Sequence, residues 1–447
     1  MRESKVDILN ERMTGALLKL AWPSVTSFLL QSLYNIIDTF WLGKLGKLEV
    51  SAPTIAWPII FLVLSVGMGL SVAGIAMVSQ YTGKGEHRTA SQAAGQTLIV
   101  GFSVATVLGV LGGIGSEWIL SILKIPEELF PLTNIYLKTI LYGAPLAFGT
   151  LLINSIFSGR GDTITPMKIM IASVTLNAVV DPIMIFGVGF PGLGVQGAAL
   201  ATVFSRGVVL FYALYLLFSG KKGFRIRFSD LIPAPKMMFG VVRIGFPSSI
   251  GGSVTSVAFI IITAMIAQFG PVVTSAVGVG NRVISLATMF SMGLAQATSA
   301  MVGQYLGAER RNDAYRVVWR SSAINMAVVG AICLFTFLFG RQVTALFINE
   351  PDVLVEGAKF FRIVSLSVPF FTTFNIFDGG LRGSGHTVKS MILNIARLWI
   401  IRLPAIYFFG QFMGVMGIYY AMLLSNMAIA VAAGLVIISK RWLRPVV

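Results

Sequence analysis

Three of the 18 acidic residues in this 447-residue chain interrupt long apolar runs: Asp38 in LYNIIDTFWLG, Asp181 in TLNAVVDPIMIFG and Asp378 in FNIFDGGLRG. A carboxylate in hydrocarbon costs on the order of 3 kcal/mol even on the lenient insertion scale, so each must face a cavity, a partner or a proton. Tyr34 falls one helical turn before Asp38 on the same face, and Asn177 stands likewise before Asp181. Pro182 follows Asp181 and removes a backbone donor, which frees a carbonyl one turn back. If the two acids meet, with Tyr34, Asn177, Tyr136 and Asn154 nearby, two chemistries are open. Paired carboxyls out of water can load and share a proton. Alternatively, Asp38, Asp181, Asn177 and the freed carbonyl can surround a small hard cation such as sodium. The sequence supports both, against the plainer reading that the acids only satisfy interhelical hydrogen bonds. Asp378 is different, because Arg382 stands four positions on and a structural ion pair competes there with a role as a second polar site.

These acids need helices that span a membrane. The chain is 55% apolar and 12% charged, with a mean hydropathy of +0.82, whereas a soluble domain carries about twice that charge fraction. It reads as an all-α integral membrane protein. A single cysteine, Cys333, and two histidines, His87 and His386, exclude a disulfide framework and a histidine-rich metal cluster. No HExxH, GxSxG or Walker pattern is present, so a membrane-embedded enzyme is disfavoured and no cofactor is expected beyond a coupling H+ or Na+. No removable signal peptide is read at the amino end.

Apolar stretches of spanning length occur near 17–43, 53–78, 91–115, 133–158, 167–187, 193–218, 239–267, 277–302, 317–340, 358–381, 388–410 and 414–438. That predicts twelve spans. The net charge of +16 does not point to nucleic acid, because the basic residues fall on alternate connections. Arg2, Lys5, Arg12 and Lys19 in the tail, Lys84 and Arg88, the run from Lys221 to Arg243, and Lys440, Arg441 and Arg444 share one side. The positive-inside rule then places both termini in the cytoplasm and both Asp38 and Asp181 toward the outer ends of their spans.

The spans are also written twice. GMGLSVAGIAMVSQYTGKGE from Gly67 matches SMGLAQATSAMVGQYLGAER from Ser291 at ten of twenty positions, 224 residues apart. Pro23 with Pro247, Pro145 with Pro369, and Gly159 with Gly383 keep the same offset. The organisation expected is an amino-terminal six-helix lobe at 1–218, a basic cytoplasmic linker at 219–236 and a carboxyl-terminal lobe at 237–447. Six spans per copy imply a pseudo-twofold axis along the membrane normal, with a cleft that rocking lobes expose alternately. Pro23, on the Asp38 helix, and Pro58, Pro145, Pro247 and Pro369 offer places for bends. The copies differ where it matters: Ile262 and Ala405 stand where the first has Asp38 and Asp181.

The doubled six-span plan, SLYNIIDTFWLGKLG, the paired GLxxAxxAMVxQYxG segments and LNAVVDPIMIFG resemble the multidrug and toxic compound extrusion family, its archaeal-like branch most closely. The resemblance covers nearly the whole chain. It implies a secondary antiporter of the cell membrane, read as a monomer, that exports bulky amphipathic or cationic compounds in exchange for inward H+ or Na+. The family's cation network maps onto Asp38, Asp181, Asn177 and Asn154, with Tyr34 and Tyr136 in the same region. Some relatives use an acid on the seventh span, but residues 246–270 hold no Asp or Glu. The alternative within transport is a translocase of lipids or lipid-linked precursors.

Overall fold

The computed structural model describes residues 6–189 and 191–446. Arg2 and Lys5, counted above in the basic tail, lie outside the described residues. Apolar runs with few backbone partners elsewhere fold as helices, since only a helix satisfies its own backbone in lipid. The helices are α1 (Met13–Gly43), α2 (Lys47–Gly83), α3 (His87–Ile114), α4 (Ser116–Ile122), α5 (Phe130–Tyr142), α6 (Ala144–Gly159), α7 (Ile164–Phe186) and α8 (Gly194–Ser219). After a 3₁₀ turn at Phe228–Leu231 come α9 (Pro235–Ala267), α10 (Pro271–Gly307), α11 (Arg311–Ala345), α12 (Pro351–Gly383) and α13 (Thr387–Ile395). A π-helical turn, Ala396–Arg402, joins α13 to α14 (Leu403–Met413), and α15 (Val415–Ile438) follows.

Eleven of these segments, counting α13 through α14 as one, are long and apolar enough to cross a membrane. The twelfth expected span is broken: α5 and α6 meet at 48°. Pro145, near the start of α6, cannot donate to the carbonyl of Leu141, so the helix restarts at that point. By contrast α1, α2, α9 and α12 continue through Pro23, Pro58, Pro247 and Pro369. Several helices outrun their apolar stretches. Helix α2 has 37 residues, about 55 Å of helix against a hydrocarbon layer of about 30 Å.

Small residues let the first and second halves of the chain approach closely. A methyl group on Gly83 would strike the backbone of Gln304, and one on Gly307 would strike that of Gln80, so α2 and α10 touch backbone to backbone. Both described ends of the chain gather there, with the Val6 N–H on the Gly161 carbonyl at 3.0 Å and the Val446 N–H on Gln80 Oε1 at 3.1 Å. The linker is pinned rather than draped. Phe224 and Ile226 are buried, Arg88 pairs with Asp230 at 2.9 Å, and the Gln96 amide donates to the Asp230 and Ile232 carbonyls at 2.8 Å each.

Candidate functional site

Helices α1, α5, α7 and α8 bring one polar cluster together in the first half of the chain. Asp38 from α1 and Asp181 from α7 lie close enough for each carboxyl to feel the other's charge, with Asn177 beside them. Asn177, one turn before Asp181 on the same face, donates Nδ2–H to Asp181 Oδ1 at 2.9 Å. Thr202 of α8 donates its hydroxyl to Asp38 Oδ2 at 3.4 Å. Both Asn177 and Asp181 are 0% exposed. Tyr34 and Tyr136 are buried against the same acids, and the Arg206 guanidinium sits 5.8 Å from the centre of the Tyr34 ring.

The cluster has more acceptors than donors. Asp38 Oδ1, Asp181 Oδ2, Asn177 Oδ1 and the Tyr34 hydroxyl are all shut from solvent with no hydrogen-bond partner. Buried polar atoms are normally paired, so three orphan acceptors beside a single unpaired hydroxyl mark a site that takes something up. A proton shared between the carboxyls supplies the missing donor. A small cation does the same through carboxylate and amide oxygens, together with the Ala178 carbonyl, to which Pro182 cannot donate.

The structure therefore joins Asp38, Asp181, Asn177, Tyr34 and Tyr136. It leaves Asn154 and Pro23 apart. Asn154 stands five residues before Gly159, at the end where the chain termini gather, whereas Asp38 stands five residues before the opposite end of α1. Its Oδ1 is buried without a partner, and among the described residues no bond joins it to the acid pair. Pro23 lies fifteen residues before Asp38, about 22 Å along the helix axis. Asp378 forms the ion pair its spacing foretold, with Arg382 Nε at 2.7 Å, and also accepts from the Ser390 hydroxyl.

Sequence reasoning missed Thr202 and gave Arg206 no role. Thr202, Ser205 and Arg206 recur at i, i+3 and i+4, a polar stripe on α8 that contains no acid. It also missed Glu356, which lies just before the apolar run of its span. Glu356 is buried and accepts from the Tyr419 hydroxyl at 2.9 Å, with Lys359 at 3.2 Å.

A family model, MatE, matches residues 23–183 and again residues 247–408. The chain belongs to the MatE family. As a MatE protein it is a multi-pass membrane transporter and not an enzyme. The probable multidrug resistance protein YpnP of Bacillus subtilis (strain 168) is 26% identical over 438 residues, 98% of this chain and 97% of its own length. The probable multidrug resistance protein NorM of Thermotoga maritima is 25% identical over 95% of this chain and 92% of its own. Among solved structures, a MOP superfamily transporter from Pyrococcus furiosus superposes with a TM-score of 0.91 at 23% identity, covering 99% of each chain. That likeness shows that the two chains share one fold.

Proposed function

We propose that this MatE protein is a secondary antiporter that exports bulky amphipathic compounds from the cytoplasm, driven by H+ or Na+ entering through the Asp38–Asp181 cluster. The carrying observation is two neighbouring carboxyls, Asp181 wholly buried and Asp38 partly so, each with one oxygen shut from solvent and lacking any donor. An ion arriving there pulls the two acids together and neutralises them. Its departure restores repulsion between α1 and α7, which biases the packing of those helices. The multidrug resistance names of its relatives support the class of cargo.

The working unit in this reading is two six-helix lobes in the cell membrane, with both termini cytoplasmic and one chain sufficing for transport. Reciprocal contacts between the halves support it, since Gln80 bonds Gly383 while Gln304 bonds Gly159, each member 224 residues from its counterpart. The gathering of both described chain ends at one end of the bundle, among the basic connections, supports the orientation.

The test is efflux from proteoliposomes under separate H+ and Na+ gradients, for wild type and for Asp38→Asn and Asp181→Asn. Both variants are expected to keep their fold and lose coupling, and the gradient that drives wild type names the ion. Folded variants with undiminished coupling would refute the assignment. Gradient-driven movement of lipid without any drug efflux would replace the cargo with a lipid.

A further inference from the structure

The second half of the chain buries two positive charges that no ion pair neutralises among the described residues. Arg397 is 3% exposed and Arg402 is 6% exposed, and among the described residues neither has an acid within ion-pair distance. Both stand in the π-turn Ala396–Arg402, and that turn matters for their direction. In an α-helix, residues five apart point about 140° away from each other; a π-turn bonds i to i+5 and stacks such residues on one face. The turn thus aligns two arginines that an ordinary helix would separate. Trp399 holds it in place, donating Nε1–H to the Val254 carbonyl of α9 at 3.1 Å.

The two guanidinium groups are not equally occupied. Arg402 donates Nε–H to Ser425 Oγ at 2.8 Å and Nη2–H to Asn426 Oδ1 at 2.5 Å, and Asn426 in turn donates to Ser367. Arg397 has no hydrogen-bond partner among the described residues, and its Nε is fully shut from solvent. Its plane lies over the Phe371 ring at 4.4 Å and near Phe374 at 5.5 Å. Aromatic faces fix the orientation of a guanidinium while leaving its N–H edge available, the edge that matches a planar or tetrahedral oxyanion. Asp378 on α12 is the acid close enough to influence Arg397, but Arg382 and Ser390 already engage it. Glu356 is likewise engaged by Lys359 and Tyr419. Every buried acid in this region is committed, and the two arginines remain in excess.

An isolated buried charge is costly, and a π-turn is costlier than the helix it interrupts. Packing alone would be served by leucine at either position. We propose that Arg397 and Arg402 form a binding site for an organic oxyanion, the carboxylate or phosphate group of an amphipathic cargo. This rests on the export reading above and narrows its substrate class to compounds that carry a negative group. The acid pair of the first half and the arginine pair of the second then divide the work, one taking the driving cation and the other the anionic end of the cargo.

The experiment measures equilibrium binding to the full-length protein in nanodiscs of zwitterionic lipid, with no gradient imposed. The probes are naphthalene-2-carboxylate and its neutral isostere naphthalene-2-carboxamide. Wild type is expected to prefer the carboxylate by about tenfold or more, the scale of a hydrogen bond to a charged partner. Arg397→Gln and Arg402→Gln should each reduce that preference below about threefold, and Arg397→Lys, which keeps charge but loses the planar fork, should retain part of it. Equal binding of the two probes by wild type overturns the proposal, and so does a preference that survives both Gln substitutions. If the Gln variants fail to fold, the wild-type comparison and Arg397→Lys decide it. Adding phosphatidylglycerol to the discs separates the sources: competition assigns the site to a lipid headgroup, and its absence to soluble anions. Gradient-driven efflux is scored separately. Carboxylate preference without efflux refutes the transport reading and leaves the site; efflux without the preference does the reverse.

Discussion

Gln80 donates its side-chain amide to the carbonyl of Gly383 at 3.1 Å, across the contact between the first and second halves of the chain. The counterpart of Gln80 in the second copy, Gln304, donates to the carbonyl of Gly159 at 2.9 Å. Both glutamines are almost wholly buried, so each clasp closes a carbonyl that water does not reach. Removing one amide leaves such a carbonyl unsatisfied, at about 1–3 kcal/mol. Gln80→Ala and Gln304→Ala are therefore expected to loosen this end of the bundle. Cys333 is the sole native cysteine and is buried, so a Cys333→Ser background carrying Ser158→Cys gives a clean reporter. Maleimide labelling at 158 should accelerate about tenfold in either alanine variant; an unchanged rate would show that the clasp does not hold the halves together.

The glycines beside these clasps make a sharper steric prediction. A methyl group on Gly83 or Gly307 meets backbone of the opposing helix, which has no rotamer to move aside. Gly330 on α11 has nothing within 4 Å of the same position. Gly83→Ala and Gly307→Ala should each lower the thermal unfolding midpoint, by the equivalent of about 1–3 kcal/mol of overpacking. Gly330→Ala should leave it unchanged or raise it, since alanine is favoured over glycine in a helix by up to about 1 kcal/mol. All three falling equally would mean that the α2–α10 contact is softer than its geometry.

How much of this was legible depends on what kind of fact each was. Asp38 and Asp181 stood out because an acid inside an apolar run carries a large transfer cost that composition alone exposes. Their depth followed from span ends, but that they meet depends on how α1 packs against α7, which no local pattern encodes. Thr202 stayed hidden because a threonine in a span is cheap: its hydroxyl usually bonds its own helix, as those of Thr26, Thr97 and Thr139 do. Asn154 entered the acid cluster through the family resemblance, and α6 sets it five residues before Gly159. The π-turn was invisible for a different reason. ARLWIIR has the composition of any amphipathic helix, and no residue type in it marks the i to i+5 bonding.

His386, in the connection between α12 and α13, supplies a pH dependence. Burial, and then the neighbouring Lys389 ammonium, hold its imidazole below the ordinary value of 6.5, while Ser384 shares a 3.1 Å hydrogen bond with Nδ1. Because the folded state disfavours the charged ring, the unfolded chain binds the proton more readily. Stability from this residue is thus complete above about pH 6.5 and is lost as pH falls below it. Thermal midpoints taken between pH 8 and pH 5 should decline for wild type over that lower range. His386→Gln, which does not titrate, should show a shallower decline; identical slopes would remove His386 as the source.

Within the acid cluster, bond length sets an order of importance. The Asn177–Asp181 bond at 2.9 Å has the length of a strong amide-to-carboxylate bond, whereas Thr202 reaches Asp38 only at 3.4 Å, where the interaction has weakened. Asn177 also carries one of the unpartnered oxygens open to a cation. Asn177→Leu should therefore lower efflux at a fixed ion gradient by about tenfold, the scale of one hydrogen bond to a charged group. Thr202→Val should lower it by no more than about threefold. Both keep the two carboxyls, so neither abolishes coupling as Asp38→Asn or Asp181→Asn is expected to do. Initial rates against ion concentration in proteoliposomes test the ranking. A larger loss at Thr202 than at Asn177 would move the ion toward Asp38 and α8, and away from the proline-interrupted turn of α7.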